Sequence, residues 1–274
     1  MSDQLFRNIS DTAIWAAMYR AEESERRDAY FSDPFARKLA GTRGEQIQSA
    51  LKTQQKNAWA WVTRTIMFDA IINEQIADGV DVVINLAAGL DARPYRMNVP
   101  RSLRWIEVDL PAIIEYKADV LRGDEPRCAL ERVPLDLRDV AARRAFFERV
   151  GGTKVLVISE GLIIYLDDAE VVTLANDLRR FQRWVTDVAS PGLVAMLKKQ
   201  VGTFLDEANA PLKFGPREGP EWFEQHGWKV LEVRPTIKHA PKKRIPWPIR
   251  LFAYLPQPKK HNPNMPWSAA CLLG

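Results

Sequence analysis

The chain has 274 residues, 46% of them hydrophobic and 27% charged. That is the make-up of an ordinary globular protein, long enough for one large α/β domain or two smaller ones. No stretch approaches the ~20 apolar residues of a membrane span, and Met1 to Trp15 carries Asp3, Arg7 and Asp11 where a secretory signal needs an apolar run. Two cysteines, Cys128 and Cys271, give neither a disulfide framework nor metal-ligand spacing. A cytoplasmic location, reduced thiols and no bound metal are therefore expected. A net charge of +4 is too small to imply a nucleic-acid partner, and neither nucleic acid nor membrane is expected to be one. The excess is uneven: Lys238, Lys242, Lys243, Arg244, Arg250, Lys259 and Lys260 follow one another with no acid among them. Such a run reads either as a solvated surface or as a rim attracting an anionic acceptor.

In chain order, Ser10 to Glu25 reads as a helix that Asp11 can cap, with Ile14, Ala17, Met18 and Ala21 at helical spacing. Tyr30 to Pro34 breaks it, a second helix starts near Pro34, and a long one is predicted from about Gln46 to Ala77. From Val80 the texture changes to short β-branched runs: Val80–Leu86, Leu103–Val108, Leu130–Leu135 and Val155–Ser159. Helical segments separate them at Arg93–Met97, Pro111–Arg122 and Val140–Val150. Alternation of this kind predicts a parallel sheet with right-handed crossovers. Arg183–Val188, Lys229–Arg234 and Ala269–Leu273 are further candidate strands, and Pro191 to Pro220 reads as a helical insertion over the sheet.

In such sheets ligands bind at the carboxyl ends of the strands. After the first strand comes Asn85-Leu86-Ala87-Ala88-Gly89-Leu90-Asp91, whose glycine lets backbone approach a ligand. A dinucleotide turn needs three glycines and a regular following helix; here stand Gly89 alone and an early Pro94, which suits a cofactor without a pyrophosphate. Glu107-Val108-Asp109 ends the second strand about twenty residues on, where an acid can accept both hydroxyl hydrogens of a ribose. Asp136-Leu137 and Glu160-Gly161 follow strands three and four; Asp136 suits an adenine amino group and Leu137 an adenine face. The histidines His226, His239 and His261 are scattered, without metal spacing or a nearby nucleophile motif.

These strand ends resemble the leucine carboxyl methyltransferase family, and more closely its bacterial branch of S-adenosylmethionine-dependent O-methyltransferases of polyketide and other secondary metabolism. The likeness runs through Val82 to Arg96, Glu107 to Pro111, Val133 to Arg138 and Ile158 to Leu166. It extends to Ser10–Ala13, Phe31–Ala36 and Pro266–Ser268, and is least secure from Pro191 to Pro263. It implies a class I methyltransferase (Rossmann-like) fold: a mostly parallel sheet with an antiparallel edge and an N-terminal helical cap. The expected single domain comprises a cap over 1–78, a core of 79–190 and 221–274, and a lid of 191–220. The cofactor implied is S-adenosyl-L-methionine. Arg64 would pair with its methionine carboxylate, Gly89 would approach it by backbone, Asp109 would hold the ribose and Asp136 and Leu137 the adenine. Glu160 would lie beside the methionine moiety. A guanidinium matches a carboxylate with two prongs, and an acid matches an ammonium. Tyr165 and Arg96 are candidates to face the acceptor, as is Arg93. The family often has glycine where Ala87 stands.

The expected activity is O-methylation of a small-molecule carboxylate or hydroxyl. A carboxyl methyltransferase of a protein C-terminus, an NAD-dependent dehydrogenase and a non-catalytic cofactor binder are the rival readings, the dehydrogenase opposed by the single glycine. No histidine or lysine falls at the four strand ends, where a hydroxyl acceptor would want a general base, so a carboxylate is favoured.

Overall fold

The computed structural model describes residues 10–256 and 262–274, so Lys259, Lys260 and His261 lie outside the described residues. Helix α1 (Ser10–Ser24) and helix α2 (Ala36–Ala50), kinked at Gly41, lead through a 3-10 turn over Lys52–Asn57 into α3 (Ala58–Ala77). The expected helix from Gln46 to Ala77 is thus broken. Lys52-Thr53-Gln54-Gln55-Lys56-Asn57 supplies no apolar side chain, so nothing there sustains an apolar helical stripe. Asp11 stands inside the first turn of α1 rather than capping it, its carboxylate 2.9 Å from Arg43.

The sheet follows. Strand β1 (Val82–Leu86), the short α4 (Arg93–Arg96), β2 (Arg104–Asp109), α5 (Pro111–Val120), β3 (Ala129–Pro134), α6 (Val140–Arg149) and β4 (Val155–Ser159) alternate as the sequence pattern predicts. After them come α7 (Asp168–Leu178), β5 (Arg183–Ala189), α8 (Pro191–Glu207), α9 (Glu221–Gln225), β6 (Val230–Pro235), α10 (Thr236–His239) and β7 (Ser268–Leu273). Strand order is β3-β2-β1-β4-β5-β7-β6. Strands β1 to β5 pair in parallel, and β7 runs antiparallel between β5 and the outermost β6.

Alternate side chains of the central strands feed two cores, as a period of two requires. Ile84, Ile106, Val157 and Trp184 meet Phe147, Leu174 and Phe223 on one face, while Val83, Trp105, Leu156 and Val185 meet Phe68, Ile71 and Ile72 of α3 on the other. A separate cluster joins Trp15 and Tyr19 of α1 to Leu51, Trp61 and Val201 and Leu205 of α8, with the Trp15 and Trp61 rings 5.2 Å apart. A fully buried ion pair, Lys117 Nζ to Glu107 Oε1 at 2.7 Å, pins α5 to β2. Among the described residues no helix is long and apolar enough to cross a membrane.

Candidate functional site

The chain reverses its direction of strand addition between β1 and β4, which opens a crevice beyond their carboxyl ends. A cavity of about 850 Å³ lies there. The turns after β1, β2, β3 and β4 form its floor; Ala13 and Ala16 of α1, Trp61 of α3, and Asn209 and Lys213 of the chain beyond α8 close it from above. Arg64, Gly89, Asp109, Asp136, Leu137, Glu160 and Tyr165 all line it.

The first turn is tied to the second strand through Asp109. Its Oδ2 accepts from the Gly89 N–H at 2.6 Å and its Oδ1 from the Leu110 N–H at 2.7 Å. Burial nonetheless raises the Asp109 carboxyl above the usual range, against the pull of those two N–H groups. Gly89 has φ +49°, and a Cβ there would stand 3.0 Å from the Ala13 methyl. The glycine is therefore needed by the turn and by α1, whatever ligand lies beyond. Ala87 has φ +50°, a left-handed conformation that costs an L-residue roughly 1–2 kcal/mol. The departure from the family's glycine is thus visible as local strain.

Beyond β3, Arg138 grips Asp136 with Nη2 at 2.6 Å and lowers its carboxyl. Leu135, Leu137, Leu110 and Ile113 make an apolar wall beside it. Beyond β4, Glu160 is shared by two cations: Arg64 Nε at 3.0 Å and Arg93 Nη1 at 2.8 Å. Arg64 also reaches Asp187 Oδ2 at 3.2 Å and lies over the Trp61 ring. Asp187 in turn accepts from the Gly161 N–H at 2.7 Å, and burial raises its carboxyl despite Arg64 and that N–H. Gly161 has φ +66°, and a Cβ on it would come within 3.2 Å of Arg64 Nη1, so this turn too requires glycine.

Arg96 does not line the cavity. It points into a layer beneath it, bonding both oxygens of Asp69 at 2.7 Å. Arg93 joins the same Asp69 and also Asp91, which Asn85 bonds as well. Burial alone would push the Asp91 carboxyl up, but Arg93, Lys117, Arg20 and Arg96 outweigh it and hold it below the usual range. An unbroken line of ion pairs results: Arg20, Asp33, Arg96, Asp69, Arg93, Glu160, Arg64, Asp187.

The model of the leucine carboxyl methyltransferase family matches residues 13–179, more than half of the chain. The chain belongs to that family. A candidate S-adenosyl-L-methionine-dependent methyltransferase of Streptomyces coelicolor is 32% identical over 256 residues, 86% of this chain and 89% of that protein. Another, from a Parafrankia strain, is 32% identical over 270 residues, 89% and 84% of the two chains. Among solved structures, a candidate methyltransferase from Thermobifida fusca superposes with a TM-score of 0.60 over 99% of this chain and 96% of that one. At 14% identity that likeness speaks for the fold alone.

The donor set of this leucine carboxyl methyltransferase family member fits S-adenosylmethionine. Asp109 puts a carboxylate in the cavity, Leu137 and its neighbours an apolar wall, and Arg64 and Glu160 opposite charges, the group types that a ribose, an adenine and an amino-acid end call for. Asp187 was missed from sequence. It sits inside β5 with no motif around it, and only the fold brings it to Arg64.

Proposed function

We propose that the chain, an S-adenosylmethionine-dependent methyltransferase by family, methylates an oxygen of a small-molecule carboxylate. One observation supports this most: every acid lining the cavity is already engaged. Asp91 and Glu160 are held by Arg93, Asp109 by two backbone N–H groups, and Asp136 by Arg138. Glu170 accepts from the Asp167 N–H and stands 3.6 Å from Lys213. His226 and His239 bond backbone carbonyls away from the cavity. Among the described residues no lining group stands ready as a general base. A carboxylate acceptor, with an ordinary pKa near ~4, arrives ionised and needs none.

The bound cofactor supplies an electrophilic methyl on a sulfonium. The chain's part is to hold the acceptor oxygen in line with it, an alignment worth up to ~7–11 kcal/mol. Tyr165, whose phenol burial pushes further above its ordinary range, stands between Arg64 and its hydrogen-bond partner Thr12, where its hydroxyl can orient that acceptor. Residues 191–220 act as the lid: α8 packs on the helical cap, while Asn209 and Lys213 close the cavity and keep water out. The volume of about 850 Å³ lies within the ~300–1,000 Å³ of small-molecule sites. Cys128 and Cys271 are free and buried, as suits work in the reducing cytoplasm.

A screen of small acids and phenols for adenosylhomocysteine release tests the reading. The labelled product of the accepted substrate should lose volatile methanol in mild alkali, as an ester does. A wholly alkali-stable product would decide for a hydroxyl.

A further inference from the structure

After Glu232 the sequence contains no aspartate or glutamate at all, while it contains eight lysines and arginines. Within this stretch the chain turns its largest apolar side chains outward. Trp247 is 71% exposed, Tyr254 62%, Phe252 55% and Leu255 53%, and Ile249 and Leu251 are exposed beside them. Six large apolar residues within nine positions is a dense patch, and patches of this kind mark a partner or a membrane.

The segment is fixed from behind, so the outward display is not a loose loop end. Ile245 is fully buried, and Arg244 clamps Glu23 at 2.9 Å and Asp28 at 2.9 Å. Lys238 Nζ donates to the carbonyls of Ala253 and Leu255. The 3-10 turn Ile249–Ala253 therefore stands on a braced base with its apolar side chains facing away. Around it, Lys242 lies over the Tyr254 ring at 4.3 Å, and Arg250 spends its Nε on the Ile245 carbonyl. Among the described residues no carboxylate pairs with Lys242, Lys243 or Arg250, while Arg244 takes Glu23 and Asp28.

From this we infer that residues 238–255 form a docking surface for an anionic lipid bilayer, on which the protein lies without spanning it. The mixture matches an interface: aliphatic and aromatic side chains to enter the acyl boundary, tryptophan and tyrosine for the headgroup level, and unpaired cations for lipid phosphates. A second copy of the chain is a poor occupant, since a two-fold contact would set these cations against themselves. Nucleic acid would use the basic charge and three rings, but Ile249, Leu251 and Leu255 offer no face on which a base can stack. The expectation of no membrane partner rested on the lack of a spanning segment, which does not bear on lying at a surface.

The test uses the full chain and sedimenting vesicles of phosphatidylcholine, with and without one third phosphatidylglycerol. Binding is expected to the anionic vesicles and to fall as salt is added. It should be at least about tenfold weaker for Lys242→Glu/Lys243→Glu, and lost for Trp247→Ser/Phe252→Ser/Leu255→Ser. Melting temperature should hold in both. Trp247→Phe, which keeps an apolar ring, should still bind yet lose fluorescence quenching by brominated acyl chains. Three results would overturn the inference. The first is failure to bind anionic vesicles, or binding and quenching indifferent to these substitutions. The second is single-stranded DNA binding abolished by the serine variant while vesicle binding persists. The third is a dimer in light scattering that the serine variant dissolves. None of these readouts depends on the acceptor or on methyl transfer.

Discussion

Asp109→Asn probes two roles of one carboxylate at once. In the wild type each oxygen takes a different backbone N–H, Gly89 at 2.6 Å and Leu110 at 2.7 Å. An asparagine has one acceptor, so its NH2 must face one of those N–H groups and leave it unpaired, at a cost of about 1–3 kcal/mol. The amide also escapes the burial that penalises the charged form, which places the net cost in the lower part, ~1–2 kcal/mol. For a chain of this size that is a melting temperature lower by roughly 2–8 °C, readable by scanning fluorimetry. Cofactor binding should suffer separately, because charge-assisted bonds to ribose hydroxyls are worth roughly 1.5–3 kcal/mol. Titration calorimetry with S-adenosylmethionine should therefore show affinity at least about tenfold weaker. Unchanged affinity would remove Asp109 from the ribose site, and an unchanged melting temperature would refute the tie between the two strand ends. Asp109→Ala is the poorer probe, since it strands both N–H groups.

Gly161→Ala should lower the melting temperature by roughly 2–8 °C, from the left-handed cost of ~1–2 kcal/mol, and should weaken the cofactor by displacing Arg64; a neutral result in both assays would contradict the geometry. Arg64→Lys keeps the charge but loses the two-pronged reach, so calorimetry should show weaker S-adenosylmethionine with decarboxylated S-adenosylmethionine spared, and equal losses would count against a carboxylate at Arg64. Asp187 carries a raised carboxyl, so its ionised form is disfavoured in the fold relative to the unfolded chain. Any stability it adds over Asp187→Asn should shrink as pH rises above about 4, the unfolded value, and through the raised folded one. A difference in melting temperature that grows with pH would mean Arg64 dominates burial instead. Arg96→Lys should lower the melting temperature while leaving the Michaelis constant for S-adenosylmethionine near wild type, and a large rise in that constant would return Arg96 to the cavity.

How far the sequence could be read depended on whether a residue's neighbours were local. Gly89, Asp109, Asp136 and Glu160 each follow a strand whose apolar run announces its own end, and the sheet rule then gathers them at one edge. Arg93 and Arg96 stand three apart on one short turn, and nothing in that turn says which one faces the cavity. Asp69, on α3, holds both; partners from elsewhere separate them, Glu160 at the cavity drawing Arg93 and Asp33 lying beside Arg96. The Lys117–Glu107 pair was hidden in the same way, a lysine on a helix face that a solvated reading would claim. The break at Lys52–Asn57 falls inside what reads as one long helix, although six residues there without an apolar side chain do interrupt the stripe.

The ion-pair line from Arg20 to Asp187 has a consequence for how this chain can vary. Its inner arginines and acids are shared, so neutralising one of Arg96, Asp69 or Arg93 leaves two neighbours short of a counter-charge in a buried layer where water cannot easily make it up. Removing one partner of a buried pair costs ~3–5 kcal/mol, whereas replacing a whole set by packed apolar residues can cost nothing. Substitutions in this layer should consequently be tolerated in compensating groups and rejected singly. A chimera that takes residues 10–50 from a relative would bring in new occupants at 20 and 33. It should fold well only if positions 69 and 96 travel with them.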